Sequence, residues 1–256
     1  MKFSLNLGWL YPELMSTYGD RGNVISLTRR CQWRVIDIKV IKIGEDASGA
    51  DIEKCDMILG GGAQDRQQSI AIGDLRRKVS VYKRVFEKGV PGLFVCGSPQ
   101  LLGHYYMTGE GKILEGLGIF DFVTRHFGND KPRCIGNTAG IVVGCKLSVV
   151  GKRNTVVGFE NHGGRTYLGR GVKPFARVLR GFGNNGEDGT EGAVYKNVIA
   201  CYYHGPFLPK NPHIAAWLIG KALEVKYKKE VKLVPLDDEL EWRAHDFMLK
   251  KLKVIK

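Results

Sequence analysis

Residues 90–106, VPGLFVCGSPQLLGHYY, carry three local preferences in succession. VPGLFV is compact and apolar, as a fully buried strand is. Gly97 interrupts it at once, and Pro99 suits the first turn of a helix, where a missing N–H does no harm. Strand, sharp turn and helix make up the repeating unit of parallel α/β sheets. The turn leaves Cys96 at the carboxyl edge of the sheet, where such proteins bind their ligands.

The flanking sequence fits the same unit. FSLNLGW (3–9) alternates apolar and polar residues as a half-buried strand does, TYGDRGN (17–23) supplies loop residues, and Val24 to Trp33 spaces its apolar positions like an amphipathic helix. RVIDIKVIKI (34–43) alternates again, and MILGGG (57–62) is a short strand running into glycines. Gln64 to Lys88 predicts a long charged helix. Beyond Gly116 the texture changes to β-rich pieces separated by Gly and Asn turns: IFDFVTRH (119–126), GIVVGCKLSVVG (140–151), TVVGFENH (155–162), ARVLRGFG (176–183) and AVYKNVIACYYHG (193–205). These read as hairpins carried by the same domain. PHIAAWLIGKA (212–222) returns to helix, with Asn211 as its N-cap and Pro212 in its first turn, and Asp238 to Lys253 predicts a final helix.

At 256 residues and 43% hydrophobic content the chain can bury a large core. It contains no run of about 18 apolar residues, and its N-terminus lacks the features of a secretory signal, so a soluble cytoplasmic protein without a transmembrane segment is expected. Six cysteines lie scattered without a CxxC pair, which argues against a disulfide framework or a zinc cluster. The net charge of +13 is spread along the chain, with no basic arm and no aromatic-basic repeat. No nucleic-acid partner is expected, and the basic surface suits an acidic protein, an anionic envelope substrate or plain solvation.

Cys96 has the setting of a nucleophile elbow, in which a strand-to-helix turn exposes the side chain and the helix start favours a thiolate. The elbow alone equally suits a buried structural cysteine. MILGGG adds a second signal, because a glycine-rich strand end at the same sheet edge can donate backbone N–H groups to an oxyanion. A phosphate loop is the rival reading, but neither GxxxxGK[ST] nor GxGxxG is present. A thiolate nucleophile needs a proton acceptor. His204, in YYHGPFLP, closes the last strand, and His162, in FENHGG, competes with it.

Taken in order, LYPELMSTYGDRGN (10–23), ILGGGAQDRQQ (58–68), FVCGSPQLLGHYY (94–106), EGLGIFDF (115–122), VGFENHGGRTYLG (157–169), GFGNNGEDGTEG (181–192) and YYHGPFLPKNP (202–212) resemble the class I glutamine amidotransferases of the cobyric-acid-synthase-like branch. The resemblance implies an α/β, flavodoxin-like, mainly parallel sheet flanked by helices, with additional β-hairpins and a C-terminal helix. It implies an amidotransferase domain over residues 1–226 and a charged helical extension over 227–256. By the same resemblance Cys96 forms a γ-glutamyl thioester, His204 is general base and later acid, and Gly61 and Gly97 supply oxyanion N–H groups. Arg133 receives the carboxylate of L-glutamine, Gln100 helps to seat it, and Asn161, His162 and Gly163 form a loop beside the site. No cofactor or metal is implied. The implied partner is a Mur-ligase-like, ATP-dependent synthetase subunit that takes the ammonia to amidate D-glutamate of lipid II.

The chain departs from the family pattern in three places. Cys96-Gly97-Ser98-Pro99-Gln100 replaces the usual Cys-Gly-Gly-Tyr-Gln, the glycine-rich loop has one extra residue before Asp65, and Pro206 stands where many members carry the glutamate that orients the histidine. With that acid missing the chain alone is expected to hold a dyad; the resemblance implies that the partner donates the third acid, so that the isolated subunit is slow. A different acceptor such as a cobyrinate-type carboxylate, a catalytically weak binding module and a general cysteine hydrolase are the alternatives.

Overall fold

The protein is described from a computed structural model covering residues 2–128, 130–145, 147 and 153–256. Its first half alternates strand and helix: β1 (Ser4–Leu10), α1 (Arg21–Gln32), β2 (Asp37–Ile43), α2 (Gly49–Glu53), β3 (Met57–Gly60), α3 (Asp65–Arg77), α4 (Val79–Glu87), β4 (Gly92–Val95) and α5 (Gly97–Leu102). Shorter strands follow: β5 (Tyr105–Met107), β6 (Ile113–Glu115), β7 (Phe122–His126), β8 (Cys134–Val142), β9 (Thr155–His162), β10 (Gly164–Leu168), β11 (Ala176–Arg180), β12 (Thr190–Glu191), β13 (Ala193–Tyr195) and β14 (Val198–Cys201). The chain ends with α6 (Pro212–Tyr227) and α7 (Glu239–Lys251).

Among the described residues the strands form three sheets. The central one runs β13-β14-β4-β3-β1-β2. All its neighbouring pairs are parallel except the edge hairpin β13-β14. Without β13 this is the doubly wound flavodoxin-like order expected from the sequence. β3, β4 and β14 are buried at every position, which is why MILG, GLFV and VIAC are unbroken apolar runs. β2 lies at the edge and keeps Lys39 and Lys42, a charge pattern that discourages pairing with a further strand. One apolar cluster packs α1 and α6 on the sheet and a second packs α3 and α4 on it, so both faces are covered. The remaining strands make the sheets β10-β7-β5-β6 and β12-β11-β8-β9.

Three local expectations are revised. The helix predicted over 64–88 is two helices, because Lys78 leaves helical geometry (φ −104°, ψ 7°) while its ammonium bonds Asp74 and the carbonyls of Gly44 and Glu45. Asn211 occupies the N-cap position of α6 but its side chain does not cap. The amide instead bridges Val157 N and O at 3.0 and 2.8 Å and Phe207 O at 2.7 Å, tying α6 to β9. The tail of GIVVGCKLSVVG, residues 146 and 148–151, lies outside the described residues.

The boundary expected after residue 226 falls in the last turn of α6. The tail then returns across α1, where the guanidinium of buried Arg30 grips Asp238 with hydrogen bonds of 2.6 and 2.9 Å. α7 seats Leu249 against Ala139 and Val157 and holds His245 between Thr155 and Lys210 O.

Candidate active site

Parallel pairing sets the register of the site. Gly60 of β3 lies beside Phe94, and Cys201 of β14 lies beside Val95, so the segments after β3, β4 and β14 emerge together at the carboxyl edge. These segments carry Gly61–Ala63, Cys96 and His204.

Cys96 adopts φ 55° and ψ −100°, a conformation that ordinarily costs a non-glycine residue about 1–3 kcal/mol. The surroundings hold it there. Its N–H bonds Cys201 O at 2.8 Å, and Ser98 Oγ turns back on β4, accepting from Val95 N at 3.0 Å and donating to Val95 O at 3.2 Å. Ser98 thus replaces the family's glycine by bracing the elbow. Gly97 is required sterically, since a Cβ there would sit 2.6 Å from Ala63 N and 2.8 Å from Ala63 O.

His204 is fully buried, its backbone bridged to Phe159 by hydrogen bonds of 2.7 and 3.3 Å. Its Nδ1 lies 3.2 and 3.3 Å from the carboxylate oxygens of Asp20, itself 3% exposed as a side chain. Asp20 is fixed in turn by Gly62 N–H at 2.7 Å. His204 Nε2 makes no hydrogen bond among the described residues, and Cys96 lies in range to act on the ring. Burial alone would lower the imidazole pKa, but Cys96 and Asp20 outweigh it and push His204 up to about 10. That is the electrostatic setting of an imidazolium beside a sulfur nucleophile. Gly62 permits the arrangement, because a Cβ would fall 2.7 Å from His204 Cε1.

The chain's own first loop places an acid, Asp20, beside His204 Nδ1, a residue that the sequence did not point to. No local sequence feature marks this acid: position 206, two after His204, is Pro, whereas Asp20 precedes the histidine by 184 residues. The parallel sheet brings the end of β1 to the same edge. TYGDRGN was visible as a loop, but nothing in it marks Asp20 as a partner of His204.

His162, the competing base, is 2% exposed and lines the same cavity. Its Nδ1 lies 2.7 Å from Gly164 O and its ring stacks on Tyr202 at 3.7 Å, while burial pulls its pKa down to about 4. It has no carboxylate partner among the described residues, so His204 is the better base on geometry.

A cavity of about 420 Å³ opens over Cys96. Arg133 and Gln100 both line it, along with Tyr18, Asp65, Asn161 and Gly163. Arg133 is exposed and bonds Asn161 Oδ1 through Nε and Nη2 at 3.0 and 2.9 Å. Gln100 is buried in a polar chain that forms the floor: it accepts from Gln68 at 3.0 Å and donates to Tyr202 OH at 3.2 Å, and Tyr202 OH meets Thr166 Oγ1 at 2.6 Å. Asp65 contributes a carboxylate to the lining, held by Tyr106 OH at 2.7 Å and Gly109 N at 3.0 Å. Of the glycines expected at the oxyanion hole, Gly97 follows the nucleophile directly. Gly61 packs behind the wall, where a Cβ would meet Met15 O at 2.4 Å, and Ala63 is the residue of that loop that faces the cavity.

The arrangement is a thiol on a strained elbow, a carboxylate-held imidazole and a polar cavity with an exposed cation. The chain is similar to known proteins. The chain is 39% identical, over 93% of its length and 91% of the relative's, to the GatD subunit of lipid II isoglutaminyl synthase (glutamine-hydrolyzing) from Staphylococcus aureus. It is 37% identical to the Streptococcus pneumoniae subunit of the same name, over 93% of this chain and 88% of that one. A solved glutamine amidotransferase from Thermotoga maritima shares the fold, with a TM-score of 0.52 at 13% identity over 98% of this chain and 92% of that chain. Residues 6–212 match the CobB/CobQ-like glutamine amidotransferase domain, and the chain belongs to that family.

Proposed function

We propose that this chain is the glutamine-hydrolysing subunit of a lipid II isoglutaminyl synthase, supplying ammonia to a Mur-ligase-like (MurT-type) ATP-dependent synthetase that amidates D-glutamate of lipid II. The observation that carries this reading is Cys96 on its strained elbow beside the buried His204–Asp20 pair, in a cavity of amino-acid size. Similarity over nearly the whole length to subunits of that synthase supports lipid II as the acceptor.

In the proposed reaction glutamine enters with its α-carboxylate on Arg133 and its α-ammonium toward Asp65, opposite charges matched to opposite charges. Cys96 Sγ attacks the side-chain amide carbon. The oxyanion that forms is met by N–H groups of Gly97 and of the 61–63 loop. His204, protonated and held by Asp20, gives a proton to the amide nitrogen; the C–N bond breaks, ammonia leaves and a γ-glutamyl thioester remains. His204 then takes a proton from water as the oxygen attacks the thioester; the C–S bond breaks, glutamate leaves and Cys96 returns as a thiolate beside the protonated His204. Asp20 keeps the imidazole in the tautomer that both steps require. The partner's part is to receive ammonia.

Amide-labelled [15N]glutamine tests this assignment with the chain, its cognate synthetase, ATP and lipid II. The expected product is lipid II carrying one 15N amide on its D-glutamate. Label released as free ammonia, with lipid II unmodified by the active complex, would overturn the acceptor.

A further inference from the structure

We infer that Tyr18 is a positioning residue that links recognition of the substrate's carboxylate to the cover over His204, an assignment that rests on the cavity being a glutamine site. Three side chains form a directional line. Arg133 donates through Nε and Nη2 to Asn161 Oδ1, and Nη2 also reaches Asn161 O at 3.2 Å. Asn161 Nδ2 donates to Tyr18 OH at 2.7 Å. The Tyr18 ring stands edge-on to His204, with centroids 5.0 Å apart at 74°, and also edges Phe159 at 6.5 Å.

The polarity of this line is fixed. A guanidinium only donates, so Asn161 must turn its oxygen to Arg133 and its NH2 to Tyr18. Arg133 thus sets the orientation of the amide, and the phenol oxygen, accepting from its NH2, anchors it to the first loop. Tyr18 itself is 47% exposed and sits at φ 57°, followed by Gly19 at φ 81°. Its hydroxyl accepts from Asn161 and its ring edges those of His204 and Phe159. The same turn delivers Asp20 to His204 Nδ1. One loop thus carries the phenol that fixes the carboxylate receptor and the acid that fixes the base. Thr17 N–H, bonded to Gly62 O at 3.1 Å, joins that loop to the glycine segment beside Cys96.

Arg133 Nη1 makes no hydrogen bond among the described residues and remains for an incoming carboxylate. A carboxylate bound there competes for the donors now given to Asn161, and any turn of Asn161 is felt at Tyr18. Tyr18 is accordingly a residue whose hydroxyl governs substrate affinity and whose ring governs the imidazole.

The test is the kinetics of glutamine hydrolysis by Tyr18→Phe, Asn161→Ala and Tyr18→Ala, each assayed with 4-aminobutanamide as a competitor. That amide is glutamine without its α-carboxylate. Tyr18→Phe keeps the ring and loses the acceptor, and Asn161→Ala breaks the same line one step earlier. Each is expected to raise the KM for glutamine about three- to tenfold, the loss of one ordinary hydrogen bond, with kcat within twofold and with the inhibition constant of 4-aminobutanamide unchanged. Tyr18→Ala is expected to lower kcat as well and to move the pH profile of kcat, because water reaches the imidazole. An unchanged KM in Tyr18→Phe, or an equal loss of affinity for glutamine and for the amide, would overturn the inference while leaving the glutaminase reading intact. Absence of glutamine hydrolysis by the wild-type complex would overturn that reading and the inference with it.

Discussion

Replacement of Asp20 by asparagine is the sharpest perturbation of the site. The side chains of Asp20 and His204 are 3% and 0% exposed, so solvent screening offers no relief, and the carboxylate oxygens are 3.2 and 3.3 Å from Nδ1. The carbonyl oxygen of the substituted amide could still accept from Gly62 N–H, so the loop should keep its place. The amide NH2 would then present a donor to Nδ1, favouring the tautomer with the proton on Nε2, which cannot accept a proton from the thiol or from water. The charge that stabilises the imidazolium disappears too. A buried charge-assisted hydrogen bond contributes about 1.5–3 kcal/mol, which corresponds to about 10- to 150-fold in rate. The assay is ammonia release from saturating glutamine, for the isolated chain and for the complex with its synthetase, with Tm measured to confirm folding. Asp20→Asn is expected to lose at least about tenfold in both settings. A rate within twofold of wild type in the complex would refute the assignment of Asp20 and return the third acid to the partner.

Other parts of the site respond in distinct ways. Cys96→Gly relieves the positive φ without widening the elbow, so it should be inactive yet more stable than Cys96→Ala by about 1–2 kcal/mol in chemical denaturation. Gly62→Ala drives a methyl group to 2.7 Å from His204 Cε1 and should reduce glutamine hydrolysis at least tenfold while the far-UV circular dichroism stays native. Asp65→Asn should raise the KM for glutamine several-fold with little change in kcat, if Asp65 faces the α-ammonium. In acid, His213, buried against Trp242 at 5.1 Å, should weaken the fold. Burial depresses its pKa from 6.5 to about 3, so the unfolded chain takes up a proton that the folded chain refuses. Stability should therefore fall as pH drops from 6.5 towards 3, by at most about 1.4 kcal/mol per pH unit from this group, and His213→Phe should flatten the slope seen by Trp fluorescence.

Much of this architecture was legible in the residues. MILG and GLFV read as buried strands because each is apolar throughout, and the elbow followed from Gly97 and Pro99, whereas VIAC, expected as part of a hairpin, also pairs in parallel with β4 inside the central sheet. The helix break at Lys78 was not legible, since it depends on carbonyls of Gly44 and Glu45 that only the tertiary fold delivers. Nor was the use of Asn211, whose N-cap position was correct but whose amide is taken by β9. At the site, Cys96 and the choice of His204 over His162 came from local context and resemblance. Asp20 and Tyr18 lay in a loop whose importance has no local signature: their meaning comes from contacts with His204 and Asn161, 184 and 143 positions away.

The most direct test of the account is the rate of glutamine-dependent ammonia release by the complex with wild-type chain and with Cys96→Ala. The account expects turnover by the wild type and none above background for the variant, with the complex still assembled. Ammonia release that survives the loss of Cys96 would contradict it.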